Sequence, residues 1–387
     1  MKKTIIIFPL VLIMASLVLL ACQSSGQKAE NESKTDVIKD SLDFKIGQMI
    51  MAGFRGTVLK PSNHIYRDIT QHHIGGVILY SRDLLQGASK PRNIQSKPQL
   101  KKLISDLKKL SKVPLLVAVD EEGGKVSRLS AKFGFTSTQR PQEIGEINQL
   151  PATEKWASHI AGKVKEMGFN VNFAPVVDLN VNPKAPIIGR LGRSFSGDVE
   201  TLVNHAYKFA EVHQKQGIIC AIKHFPGHGS AVADSHLGFT DVTDTWNSIE
   251  LAPFKRMIEK GFQGMVMTAH VFNKKLDDKY PATMSKKIMN DYLRKKWGWQ
   301  GIIISDDMQM NAIAKNYGLE EALEKSINAG VDIILFSNNG RDSYNQQTVP
   351  QVIAIIKKLI KDGKISRQRI DESYARIMKM KEQLNEK

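Results

Sequence analysis

Ile218-Ile219-Cys220-Ala221-Ile222-Lys223-His224-Phe225-Pro226-Gly227-His228-Gly229-Ser230-Ala231-Val232-Ala233-Asp234-Ser235-His236-Leu237-Gly238-Phe239-Thr240 is the stretch on which the reading of the fold turns. Its apolar start, residues 218–222, predicts a buried strand. Lys223 and His224 follow at the strand end. Pro226, Gly227 and Gly229 stop any regular continuation and predict a loop, which carries His228, Asp234 and His236. Charged and imidazole groups released at the end of a buried strand are how active sites sit on α/β scaffolds. Four of the ten histidines (His224, His228, His236, His270) fall between residues 224 and 270, a clustering that argues against purely structural roles for all four. His224, His228 and His236 are also metal-ligand types. They sit on a Pro/Gly loop rather than at helical spacing, with no Cys or Glu pair beside them, so no metal is expected.

The same unit recurs along the chain. Apolar runs at 75–80, 115–119, 171–178, 264–270, 301–307 and 331–337 predict six more buried strands. Amphipathic spacing predicts helices at 99–111, 153–167, 202–216, 248–260, 286–297, 319–329, 348–362 and 366–385. A first helix is expected at 42–54, packed by Ile46, Met49 and Ile50, and residues 85–97 read as a polar loop. Continuous apolar strands alternating with such helices mean a parallel sheet. Seven or eight units favour a single (β/α)8 TIM-like barrel, irregular where the eighth strand does not show. No Gly-x-Gly-x-x-Gly follows a strand, so a dinucleotide fold loses its main support, and no cofactor is expected. The strand ends carry Asp120, Asp178, Lys223-His224, His270, Asp306-Asp307 and Asn338-Asn339, and barrel chemistry collects at such ends.

The chain has 387 residues, ample for a large core. Lys2 and Lys3 precede an apolar run at 5–21 that ends Leu19-Leu20-Ala21-Cys22, the form of a secretory signal. Leu-Leu-Ala-Cys resembles the bacterial lipoprotein signal, which would make Cys22 a lipidated membrane anchor. Residues 1–21 are thus expected to be removed, 22–42 to form the lipidated cysteine and a polar tether, and 43–387 the folded domain. This places the protein outside the cytoplasmic membrane of a bacterial envelope. Removing Lys2 and Lys3 takes the formal charge from +16 to +14. The basic residues are spread and aromatics make up only 7%, so nucleic acid is not an expected partner. Attraction to an anionic envelope polymer or membrane surface, or solubility alone, accounts for the charge. Cys220, in an apolar strand, reads as a buried free thiol.

Lys223-His224-Phe225-Pro226-Gly227-His228-Gly229 with Asp234-Ser235-His236 resembles the signature of glycoside hydrolase family 3 β-N-acetylhexosaminidases of the NagZ type. Asp120-Glu121-Glu122-Gly123-Gly124-Lys125-Val126-Ser127-Arg128 is similar to that family's Asp-x-Glu-Gly-Gly-x-Val-x-Arg segment. Gly192-Arg193-Ser194-Phe195, Pro281-Ala282-Thr283-Met284-Ser285 and Ser305-Asp306-Asp307-Met308-Gln309-Met310 match in order and spacing. The resemblance covers residues 43–387. It implies a retaining exo-β-N-acetylglucosaminidase acting on peptidoglycan fragments, with Asp306 as nucleophile and His236, partnered by Asp234, as acid/base. It further implies sugar contacts by Asp120, Arg128, Arg193, Lys223 and His224, while His228 and Asp307 read as structural. Two segments depart from the pattern. Glu121 and Lys125 stand where relatives often carry Gln and Arg, and residues 85–97 find no match. A phosphorylase using the same site, and a lipid-anchored sugar-binding protein without catalysis, stay open as alternatives.

Overall fold

Ile50–Gly53, Gly76–Ile78, Leu116–Val119, Val171–Asn172, Ile219–Phe225, Met265–Thr268, Ile302–Asp307 and Ile333–Phe336 (β1 to β8) are short and almost wholly buried. A strand buried on both faces has no side for water, so its backbone groups must pair with strands at both edges. The computed structural model describes residues 41–234, 238–340 and 343–384. In it the eight strands form one closed parallel barrel in chain order, within a compact unit from Ile46 to Lys387. Amphipathic helices connect them on the outside, among them Lys97–Leu110, Leu150–Met167, Val199–Lys215 and Leu319–Ala329, and Thr348–Lys361 follows the last strand. The expected barrel is therefore the observed one.

The eighth strand is β1, and it corrects the helix expected at 42–54. The helix Leu42–Gln48 stops early, and Ile50–Gly53 runs between β8 and β2, pairing Ile50 with Ile334 and Met51 with Gly76. Ile46, Met49 and Ile50 have helical spacing, but a four-residue apolar run is equally a buried strand. Barrel closure decides between the two. Gly53 makes the closure possible: a Cβ there would lie 1.9 Å from the Ser337 carbonyl oxygen.

Three other segments differ from expectation. Of 171–178 only Val171–Asn172 is regular strand; Val176 then bridges to Lys223 alone. Residues 286–297 wind as a π-helix, Lys287–Lys296. Residues 85–97 are not all loop, since Gly87–Pro91 pairs antiparallel with Arg82–Asp83. This hairpin is clamped over the rim: Arg55 grips Asp83 through Nε at 2.6 Å, and the buried Arg92 donates to the Asn338 carbonyl. Ser96 and Gln99 form a capping box that starts the next helix at Lys97.

At the opposite end of the barrel, Asp332 accepts from Arg294, Arg369 and Arg376 and ties the outer helices to β8. Lys381 Nζ closes the floor on Gln48 Oε1 (2.7 Å) and the Gly75 carbonyl (2.8 Å).

Thermal unfolding checks the closure argument. Gly53→Ala is expected to lose at least about 1–3 kcal/mol, the usual cost of overpacking against fixed neighbours. Gly162→Ala, mid-helix with nothing within 4 Å of the new Cβ, is expected to gain about 0.5–1 kcal/mol.

Candidate active site

The chain stays extended past β3, so alternate side chains face opposite ways. Glu121–Gly123 pairs with Val126–Ser127 in a tight hairpin, turned by Gly123 (φ 97°) and Gly124 (φ 56°). Glu121 faces the helix Leu150–Met167, where its carboxylate accepts from Lys163 Nζ at 2.8 Å and Ser127 Oγ at 2.8 Å. Asp120 and Glu122 have the other parity and face the barrel mouth.

There they meet the end of β5. Lys223 Nζ stands 3.0 Å from Asp120 Oδ1 and 2.7 Å from Glu122 Oε1. Arg193, from the long loop after β4, forks onto Glu122 with two contacts of 2.7 Å. Arg128 reaches Asp120 Oδ2 at 3.2 Å. His224 places Nδ1 2.6 Å from Asp178 Oδ2 and Nε2 3.4 Å from Arg193. Asp120, Arg128, Arg193, Lys223 and His224 are thus one connected network, joined through Glu122 and Asp178. Glu122 was absent from the candidates read from sequence, although the period-2 alternation after β3 places it beside Asp120.

Their partners favour the charged form of the buried Glu122 and Asp178 and of the half-buried Asp120. Burial opposes ionisation of Glu122, but Arg193 and Lys223 outweigh it and hold its pKa at about 2. Burial likewise opposes ionisation of Asp120, and Lys223 and Arg128 carry it below the ordinary range. Asp178 is lowered against its burial by His224. The result is an array of fixed donors and acceptors, already desolvated and paired, of the kind that binds a polyhydroxylated ring.

Asp306 and Asp307 end β7. Asp306 is partly exposed; its N–H lies 3.4 Å from Thr268 Oγ1, and its Oδ1 accepts the Asp307 N–H at 2.8 Å. Asp307 turns away and accepts from the Gln309 and Ser337 N–H groups (3.1 and 2.9 Å) and from Ser337 Oγ. Its carboxyl is pushed up by burial. His270 braces this strand end between Thr283 Oγ1 (2.8 Å) and the Asp307 carbonyl (2.9 Å). His228 is buried, donates its N–H to Asp178 Oδ1 at 2.8 Å, and is drawn down to about 4 chiefly by burial. Tyr80, another residue the sequence reading passed over, follows β2 beneath the Arg128 guanidinium, 5.7 Å from its ring. Burial raises its hydroxyl well above the ordinary range, and the nearby charges of Asp120, Asp307 and Asp306 add to this. Asp234 is partly exposed on the loop after β5. His236 and Cys22 lie outside the described residues.

The model of the family described as glycosyl hydrolase family 3 N terminal domain matches residues 41–380. The chain belongs to glycoside hydrolase family 3. It is 32% identical over 374 residues to a protein named beta-hexosaminidase A from Pseudoalteromonas piscicida, covering 88% of this chain and 60% of that protein. A beta-hexosaminidase of Nitrosomonas eutropha is 33% identical over 300 residues, which is 75% of this chain and 80% of the relative. Among solved structures, a family 3 beta-N-acetylglucosaminidase from Paenibacillus sp. str. FPU-7 superposes with a TM-score of 0.79 at 32% identity, covering 89% of this chain and 63% of that one. The family 3 chain described here thus spans about three fifths of the length of two of these three relatives.

Glu122 gives this family 3 site a measurable acid signature. Its pKa is depressed, so the stability it contributes is present above about pH 4.5 and is lost as pH falls toward about 2. Chemical denaturation across that window should show a slope in the natural protein that Glu122→Gln flattens. At neutral pH the variant should be about 3–5 kcal/mol less stable, because two buried cations lose a shared partner.

Proposed function

We propose that the protein is a retaining exo-β-N-acetylglucosaminidase that removes non-reducing terminal N-acetylglucosamine from peptidoglycan fragments. The observation that carries this reading is the paired network of Asp120, Arg128, Arg193, Lys223 and His224 at the same end of a family 3 barrel as Asp306. Support comes also from the relatives, named beta-hexosaminidase and beta-N-acetylglucosaminidase.

In the proposed reaction the network holds the terminal sugar through its hydroxyls. The Asp306 carboxylate attacks the anomeric carbon while His236 gives its proton to the departing glycosidic oxygen. The C–O bond to the aglycone breaks and a glycosyl ester of Asp306 forms. His236 then takes a proton from water, the water oxygen bonds to the anomeric carbon, and the ester opens with Asp306 leaving as carboxylate. Asp234, two residues before His236, orients the imidazole and favours its charged form. A lipid on Cys22 would hold this activity on a membrane of the bacterial envelope, outside the cytoplasm, where it would meet wall fragments, and the positive charge suits an anionic polymer.

Three substitutions check the parts separately. Asp306→Ala should lose turnover by several orders of magnitude on every substrate; a slight loss would remove it as nucleophile. His236→Ala should cost about 10²–10⁴-fold on a natural disaccharide and far less on an aryl glycoside, whose leaving group needs little protonation. Cys22→Ala should release soluble, active protein from membranes. Release of p-nitrophenol from the N-acetylglucosaminide but not the glucoside, with free sugar as product whether or not phosphate is present, is the expected activity. A sugar phosphate as product would make it a phosphorylase.

A further inference from the structure

The arm that carries Asp234 and His236 leaves the barrel through a root held by two buried carboxylates. Asp178 accepts the N–H groups of His224 (3.1 Å) and His228 (2.8 Å). Glu250, in the turn Ser248–Leu251 that leads into the next helix, takes the following two. Its Oε2 accepts from the N–H of Gly229 at 2.9 Å and of Ser230 at 3.2 Å. The backbone closes directly over this side chain. A Cβ at Gly227 (φ 120°) would lie 2.6 Å from Glu250 Cβ, and one at Gly229 would lie 3.4 Å from its Oε2. Trp246 Nε1 holds the Pro226 carbonyl beside it at 3.3 Å. The chain is buried through Ala231, and at Val232 it emerges 65% exposed. The fixed root therefore ends one residue beyond the Glu250 contacts, and Asp234 comes three residues later.

Glu250 is fully buried, and its Oε1 has no hydrogen-bond partner among the described residues. No cation pairs with it there. Burial, with the Asp178 charge adding, raises it to about 7. The charged group that acts on it is Asp178, from the loop after β4. An unpaired buried carboxylate costs stability, so its place is better explained by the two N–H groups it holds than by a gain in folding free energy.

We infer that Glu250 is a positioning residue for the acid/base arm, setting through the Gly229 and Ser230 N–H groups the point from which Asp234 and His236 reach the leaving group. This rests on the reading of His236 as acid/base given above. It assigns Glu250 no contact with substrate.

The test compares the full-length natural protein with Glu250→Asp, Glu250→Gln and His236→Ala. The readout is kcat/KM, which reports the first, acid-dependent step, on N,N′-diacetylchitobiose and on 2,4-dinitrophenyl β-N-acetylglucosaminide. Aspartate is one methylene shorter and withdraws the acceptor with little loss of volume, so the fold is retained; glutamine keeps an acceptor oxygen in place. Glu250→Asp should lose about tenfold or more on the disaccharide and less than about threefold on the dinitrophenyl glycoside, following the pattern of His236→Ala. Glu250→Gln should stay within about threefold of the natural protein on both. Azide, which needs no base, should restore kcat on the dinitrophenyl glycoside in both Glu250→Asp and His236→Ala. Equal losses on the two substrates in Glu250→Asp, or a glutamine variant as impaired as the aspartate one, would overturn the inference while leaving His236 in place. Equal losses in His236→Ala would overturn the acid/base reading, and the role of Glu250 with it.

Discussion

One ring of backbone hydrogen bonds runs through all eight strands, and β1 completes it. With β1 absent, β2 and β8 would each present a buried edge of unpaired N–H and C=O groups, which a dry interior does not tolerate. With β1 in place the ring closes, and every strand points its C-terminal end at the same rim. Closure needs backbone to approach backbone at Gly53 and Gly76, where a Cβ would lie 1.9 Å from the Ser337 carbonyl oxygen and 2.9 Å from that of Leu116. Residues as distant in the chain as Asp120, Arg193, Lys223 and Asp306 come to one end of the molecule for this reason.

The rim is polar but not loose. Glu122 and Asp178 are buried anions that each serve several partners, and both stay ionised because their partners are charged or donate hydrogen bonds. Such networks contribute little net folding free energy, since desolvation offsets most of the attraction. They do forbid alternatives: moving Lys223 or Arg193 would strand a buried charge. A ligand entering the rim would therefore meet donors and acceptors already fixed by their partners, which lowers the ordering cost of binding. The opposite end of the barrel follows the same rule with another purpose. There Asp332 and its three arginines, and Lys381 on Gln48, hold helices to strands.

The carboxylates differ in task according to what surrounds them. Asp307 is held by Ser337 and Gln309, while the carboxylate of Asp306, one residue earlier, accepts the Asp307 N–H. Glu121 and Glu122 divide in the same way, one to the helix layer and one to the rim. Adjacent residues on an extended chain face opposite sides, so paired acids at a strand end turn to different partners.

Much of this was legible in the chain itself. Seven apolar runs separated by amphipathic helices specify a parallel α/β sheet, because only a strand covered on both faces is apolar throughout. Polar residues at the ends of those runs, Asp120, Lys223, His224 and Asp306 among them, are ones the closed barrel brings to a single rim. Short-range pattern could not say whether Ile50 ends a helix or starts a strand, since four apolar residues fit both periods. Nor could it rank Glu122 above Glu121, or show that Gly87–Pro91 folds back on Arg82–Asp83 beside Arg55 and Arg92. Those outcomes depend on partners 28 to 246 residues away (Asp83 for Arg55, Arg193 for Glu122, Asn338 for Arg92). Local sequence determined the element types and the residue kinds at the strand ends, because periodicity and side-chain chemistry act over a few residues. Tertiary structure alone decided closure, pairing and charge state, because these depend on which distant groups share one dry volume.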